Sequence, residues 1–183
     1  MNISYKKLLV AGLLFVGFCK TPTNYWTPEG KFPLLGPDGK VDQNETTTFS
    51  MQTVPDQYEI LVINFFAPDC KPCILEVPDL KSIYKNIEKK PHIKFVAIGA
   101  RLTSLSDETV EDAAAIAAEI HQFVRGFKVE YPAYLGTTAN LKNYGLTGFP
   151  ETFVLYRNEK RQWYVKRRYV GVITQKDINP FLD

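Results

Sequence analysis

The sequence predicts a layered α/β domain. Two observations carry this: dense apolar, β-branched runs alternate with stretches of helical spacing, and a pair of strands follows late in the chain. Hydrophobic residues make up 45% of the 183 and charged residues 23%, a globular balance with material for one core. No repeat or low-complexity tract interrupts it. The formal charge of +2 is silent on nucleic acid, and no other feature points to one, so no such partner is expected.

The elements read in order as follows. Residues 8–18 (LLVAGLLFVGF) form an uncharged apolar run behind Lys6 and Lys7, the length of a signal-peptide core and too short to span a bilayer. Residues 20–30 (KTPTNYWTPEG) read as a linker, giving a leader over 1–19, a linker over 20–30 and one domain over 31–183. Pro37-Asp38-Gly39 marks a turn between short apolar pieces at 32–41, a hairpin signal. Residues 59–67 (EILVINFFA) suit a central strand buried on both faces, and residues 92–100 (HIKFVAIGA) a second. Between them, residues 73–88 carry Leu75, Leu80, Ile83, Tyr84 and Ile87 near helical spacing. Residues 107–127 give the clearest helix, rich in Ala, with Ser106 or Asp107 as cap and a stripe through Ile116, Ile120, Phe123, Val124 and Phe127. Residues 151–157 (ETFVLYR) and 164–172 are expected as strands, and 174–182 as a closing helix.

Three cysteines are present, so an even framework of structural disulfides is excluded unless one has another fate. Cys70-Lys71-Pro72-Cys73 follows a buried strand and opens a helix. The unsatisfied N–H groups there carry partial positive charge and stabilise a thiolate, lowering its pKa below the free value of about 8.5. Cys70 is then expected to attack a disulfide, and Cys73, one turn deeper, to resolve the mixed disulfide. Two intervening residues let the sulfurs meet, and Pro72 is tolerated near a helix start. Lys71 adds a cation if it folds back. Two other readings of the pair remain: a static staple, and half of a zinc site. Zinc needs about four ligands, and the chain adds only His92 and His121 as imidazoles. No cofactor or metal is expected.

Asn64-Phe65-Phe66-Ala67-Pro68-Asp69-Cys70-Lys71-Pro72-Cys73 resembles the active-site stretch of thioredoxin-like proteins, in particular the envelope thiol-disulfide oxidoreductases of the TlpA, ResA and CcmG type. Glu76, three residues after Cys73, matches a glutamate of those reductases. Pro78 matches the proline of the first long helix. Gly148-Phe149-Pro150-Glu151-Thr152-Phe153 resembles the cis-proline loop, and Gly171 the late glycine near the site.

The resemblance covers about residues 30–183. It implies a three-layer sandwich with a central mixed sheet flanked by helices. It implies Cys70, Cys73 and Glu76 as catalytic residues, with Glu76 holding the proton of Cys73 if burial raises its pKa. It implies that Phe149, Pro150, Lys71 and Pro72 bind an extended substrate strand. Asn64 stands where cytoplasmic thioredoxins bury an aspartate. Asp69 departs from the usual Trp and places an anion beside Cys70. The long insert at about 101–146 fits the helix insert of the envelope families. The basic late strand (Lys160, Arg161, Lys166, Arg167, Arg168) reads as a solvated edge, or as a field that steers an acidic partner or lipid surface.

Cys19 directly after the apolar run resembles a bacterial lipoprotein cleavage site, with Phe18 where that pattern has a small residue. An ordinary signal peptide, or an uncleaved anchor, with an incidental cysteine fits as well. Either leader implies export to the periplasm or envelope, with a membrane anchor at Cys19 in the lipidated case.

The expected function is reduction or exchange of protein disulfides, with apocytochrome thiols in cytochrome c maturation as one candidate task. Protein disulfides and an upstream thiol donor are the expected partners of a monomer. The alternatives on the same fold are a copper chaperone of the Sco type, which needs wider cysteine spacing and a late histidine, and a peroxiredoxin, which needs Thr where Ala67 stands.

Overall fold

A computed structural model describes residues 25–42, 44–105 and 112–182. Cys19 and the leader lie outside them, as do Ser106 and Asp107. The elements are β1 (Ile60–Phe66), α1 (Lys71–Ile87), β2 (Ile93–Gly99), α2 (Ala113–Gly126), β3 (Ala133–Leu135), α3 (Thr138–Leu141), β4 (Glu151–Arg157), β5 (Trp163–Val170) and α4 (Gln175–Ile178). They build a mixed sheet in the order β3-β2-β1-β4-β5. β1 and β2 pair in parallel, as do β2 and β3, while β1–β4 and β4–β5 are antiparallel. The parallel pairs need the crossovers that α1 and α2 supply.

β1 lies at the centre and is buried along its whole length, which its unbroken apolar run dictates. Its residues alternate between two cores. Val62 and Phe66 face one side, where Val77, Leu80 and Ile83 of α1, Ile116, Ile120 and Phe123 of α2, and Ile178 of α4 cover the sheet. Leu61, Ile63 and Phe65 face the other, against Phe32, Phe49, Met51 and Val54 of the N-terminal segment and Leu141 and Tyr144. Helix α3 and the 3₁₀ turn Lys142–Tyr144 complete that layer.

Within the stretch read as a linker, the chain is docked from Tyr25 onward. Tyr25 bridges Tyr164, the Trp26 N–H donates to the Trp163 carbonyl (2.9 Å), and the Trp26 ring stacks on Phe153 at 4.7 Å. The turn at 37–39 closes as expected, with Leu35 bridging Val41 and Gly39 at φ +79°.

Three elements differ most from expectation, and one strand was not expected. The Ala-rich helix starts at Ala113, not near 107, because Asp112 caps it: its carboxylate accepts from the N–H of Ala114 (3.0 Å) and Ala115 (3.2 Å). Replacing Asp112 with Ala is expected to cost about 1 kcal/mol, read from the denaturant midpoint at an unchanged slope. The last strand ends at Val170, because Gly171 turns the chain at φ +97° and sends its N–H to the Pro150 carbonyl (2.9 Å). Open space surrounds Gly171, so it serves the backbone angle there and not close packing. The closing helix is one α turn followed by the 3₁₀ turn Asn179–Phe181, since Pro180 cannot extend the ladder. The three-residue β3 inside the insert was not anticipated.

Candidate active site

Cys70 is the N-cap of α1, and the topology puts that cap at the carboxyl end of central β1. Its sulfur accepts the Cys73 N–H at 3.2 Å, one of the donors that a helix start leaves open. Cys70 and Cys73 form a disulfide with Cα atoms 5.2 Å apart. Both cysteines are buried, Cys70 at 4% and Cys73 at 1% exposure, and Cys70 is the one that meets the Phe149 carbonyl. Lys71 and Pro72 are exposed on the first turn. Pro78 lies within α1, where it lacks the N–H to bond the preceding turn.

The loop before β4 comes to the same place. The Phe149–Pro150 peptide bond is cis, and the Phe149 carbonyl oxygen lies 3.4 Å from Cys70 Sγ. Residues 79 positions apart thus meet at the sulfur.

Glu76 sits one turn beyond Cys73 on the same buried face of α1 and is fully buried. Asn64 Nδ2 donates to Oε1 (2.9 Å) and the Ile173 N–H to Oε2 (3.2 Å). Burial raises its pKa from 4.5 to about 7; the two hydrogen bonds oppose the rise and nearby Asp79 adds to it. Asn64 Nδ2 also donates to Thr152 Oγ1 (2.9 Å), which ties the carboxyl to β4. The structure therefore brings Cys70, Cys73, Glu76, Phe149 and Pro150 together. Asp69 is exposed and lines, with Pro68, Leu102 and Phe127, a surface groove of about 630 Å³.

Sequence reasoning named Asn64 only for the aspartate it replaces, and missed it as a donor to Glu76. It did not single out Thr152 or Glu151, and it read Arg168 as part of a solvated basic edge, whereas that side chain pairs with buried Glu151 and bonds the Gly145 carbonyl. A strand register pairing Asn64 with Thr152 would have brought those two side chains together.

No family model matches the chain. Among characterised proteins, it is similar to the thiol-disulfide oxidoreductase ResA of Geobacillus thermodenitrificans, 25% identical over 66% of this chain and 60% of ResA. It is also similar to the sporulation thiol-disulfide oxidoreductase A of Bacillus subtilis, 22% identical over 72% of this chain and 71% of the relative. The aligned part thus spans about three-fifths of ResA. Among solved structures, StoA from Bacillus subtilis superposes with a TM-score of 0.57 at 18% identity, covering 84% of this chain and 96% of StoA. The thioredoxin family thiol:disulfide interchange protein of Chlorobium tepidum gives a TM-score of 0.56 at 22% identity, covering 85% and 93%. This is a thioredoxin-like fold. In such a fold, the stretch from Asn64 to Cys73 and the loop at Phe149–Pro150 stand at one end of the sheet, as the distances above require.

Proposed function

We propose that the chain is a thiol-disulfide oxidoreductase that reduces or exchanges protein disulfides through Cys70 and Cys73. The observation that carries this is Cys70 Sγ at a helix mouth, bonded to Cys73 and 3.4 Å from the Phe149 carbonyl. The names of its relatives support the same chemistry.

In the reduced protein, the Cys70 thiolate attacks one sulfur of the substrate disulfide. The substrate S–S bond breaks, a mixed disulfide forms, and the released substrate thiolate takes a proton from solvent. The Cys73 thiol then gives its proton to the Glu76 carboxylate and attacks Cys70 Sγ. The second substrate thiolate leaves, and the Cys70–Cys73 bond forms. Two electrons have passed to the substrate, and an upstream thiol donor restores them. Near neutral pH, Glu76 is half protonated, so it can both take and return that proton. Phe149 and Pro150 offer backbone to an extended substrate segment, and exposed Lys71 and Pro72 border the approach.

An exported chain of the bacterial envelope fits this chemistry, because disulfides persist in oxidising compartments. The apolar run before Cys19 supports that location, with Cys19 as the lipid anchor and mature N-terminus.

The deciding measurement is the Cys70–Cys73 reduction potential by titration against glutathione or dithiothreitol, alongside turnover of insulin. A potential near thioredoxin's, about −270 mV, with insulin reduced, is the expected result. A value near −120 mV reverses the direction, and no turnover removes the activity.

A further inference from the structure

Glu151 follows Pro150 directly and is fully buried, on the face of the sheet opposite to Cys70 and Glu76. Successive strand residues point to opposite faces. Thr152 therefore reaches Asn64 on the active-site side, while Glu151 reaches back under its own loop. Glu151 Oε2 accepts from the Thr147 N–H (3.0 Å) and Thr147 Oγ1 (3.3 Å). Glu151 Oε1 accepts from Arg168 Nε of β5. The same guanidinium donates through Nη2 to the Gly145 carbonyl (2.8 Å) and lies over the Phe153 ring. One carboxylate and one guanidinium thus tie both Gly145 and Thr147 to the sheet. Phe149, whose carbonyl faces Cys70 Sγ, is two residues from each of Thr147 and Glu151.

We infer that Glu151 and Arg168 are a positioning pair that sets the 145–150 loop against Cys70 for polypeptide substrates. The inference rests on the redox reading above. A buried carboxylate is costly unless it is paired and hydrogen-bonded, and an apolar residue at a strand start would fill the same space. What the ion pair adds is direction. The planar fork of arginine serves Glu151 and Gly145 at once, which a lysine ammonium does not reproduce. A small disulfide needs only the sulfur of Cys70. A polypeptide disulfide also lies along the loop backbone, so its binding depends on where the loop is held.

The test uses the full chain and its Arg168→Lys and Glu151→Gln variants. Three readouts are taken: the rate with 2-hydroxyethyl disulfide, kcat and KM with insulin, and hydrogen exchange at the Thr147 amide. Arg168→Lys keeps a charge opposite Glu151 but gives up the Gly145 tie. It is expected to raise the insulin KM about tenfold, as a small misplacement of a binding element does. Its kcat and its rate with the small disulfide stay within about twofold, and the Thr147 amide exchanges faster. Glu151→Gln changes in the same direction, and the double variant is no worse than the worse single one, because the pair acts as a unit. Should Glu151→Gln fail to fold, Arg168→Lys decides alone. A folded Arg168→Lys protein with wild-type KM for insulin overturns the inference, as does equal loss with both disulfides. A wild-type protein inert toward both disulfides overturns the redox reading and this inference with it.

Discussion

Cys70→Ser lowers insulin reduction to the background rate of the chemical thiol, a loss on the order of a thousandfold or more, as follows when a covalent nucleophile is removed. Cys73→Ser behaves differently. It still attacks, because Cys70 keeps its place as N-cap and the N–H of residue 73 still points at its sulfur. It cannot resolve, so mixed disulfides with the substrate accumulate and are read by mass spectrometry of the alkylated protein. Asymmetry between the two variants is the core of this expectation. Cys70 caps α1 and faces the Phe149 carbonyl, whereas Cys73 sits within its first turn and does not. If either variant matched the wild type in turnover, or if both trapped substrate equally, the division of labour would be wrong.

Glu76→Gln is expected to stabilise the protein at pH 8 while slowing resolution. The sign follows from the direction of the shift. Burial raises the carboxyl from 4.5 to about 7. Below pH 4.5 the group holds its proton in both folded and unfolded chains, and its contribution is fully present. Between 4.5 and 7 the unfolded chain releases the proton while the folded chain keeps it, so stability falls as pH rises. Above 7 the loss levels off at about 3 kcal/mol relative to acid. For a chain of this length that is roughly 6–12 °C in Tm. Glutamine keeps an acceptor for Asn64 Nδ2 and has no charge to desolvate, so the variant-minus-wild-type difference in Tm grows from pH 5 to pH 8. Parallel Tm profiles for the two proteins would remove Glu76 as the titrating group. The expected cost is functional: with no base one turn from Cys73, the mixed disulfide with wild-type cysteines decays more slowly, a trade of activity for stability.

Much of this was legible in the chain before any coordinates. β1, β2 and β4 carry apolar runs long enough to state their burial, and the strand–Cys–helix order placed Cys70 at a helix mouth. Glu76, Phe149 and Pro150 were named only through the resemblance to thioredoxin-like proteins, and the structure places the Phe149 carbonyl beside Cys70 and Glu76 one turn past Cys73. What stayed hidden depends on contacts between distant residues. β3 has three residues and takes its strand geometry from its neighbour, through pairs such as Ile98 with Tyr134, more than from its own pattern. Asp112 looked like one polar residue among several before an Ala run, and only the observed bonds to Ala114 and Ala115 single it out. Glu151 and Arg168 meet on a diagonal across β4 and β5, where a register shift between Val154 and Leu155 changes which side chains face each other. A simple count of alternating residues does not yield that diagonal.

The docking of Tyr25 and Trp26 bears on how the chain behaves in company. β5 is an outer strand, with unpaired backbone groups of the kind that recruit a further strand and seed assemblies. Near Tyr164 the incoming N-terminal segment occupies that rim, and farther along Lys166, Arg167 and Arg168 stand exposed. A second molecule offering its own β5 would meet an occupied stretch and then like charges. The segment that leads into the fold therefore also covers part of its open side, where Tyr25 meets Tyr164.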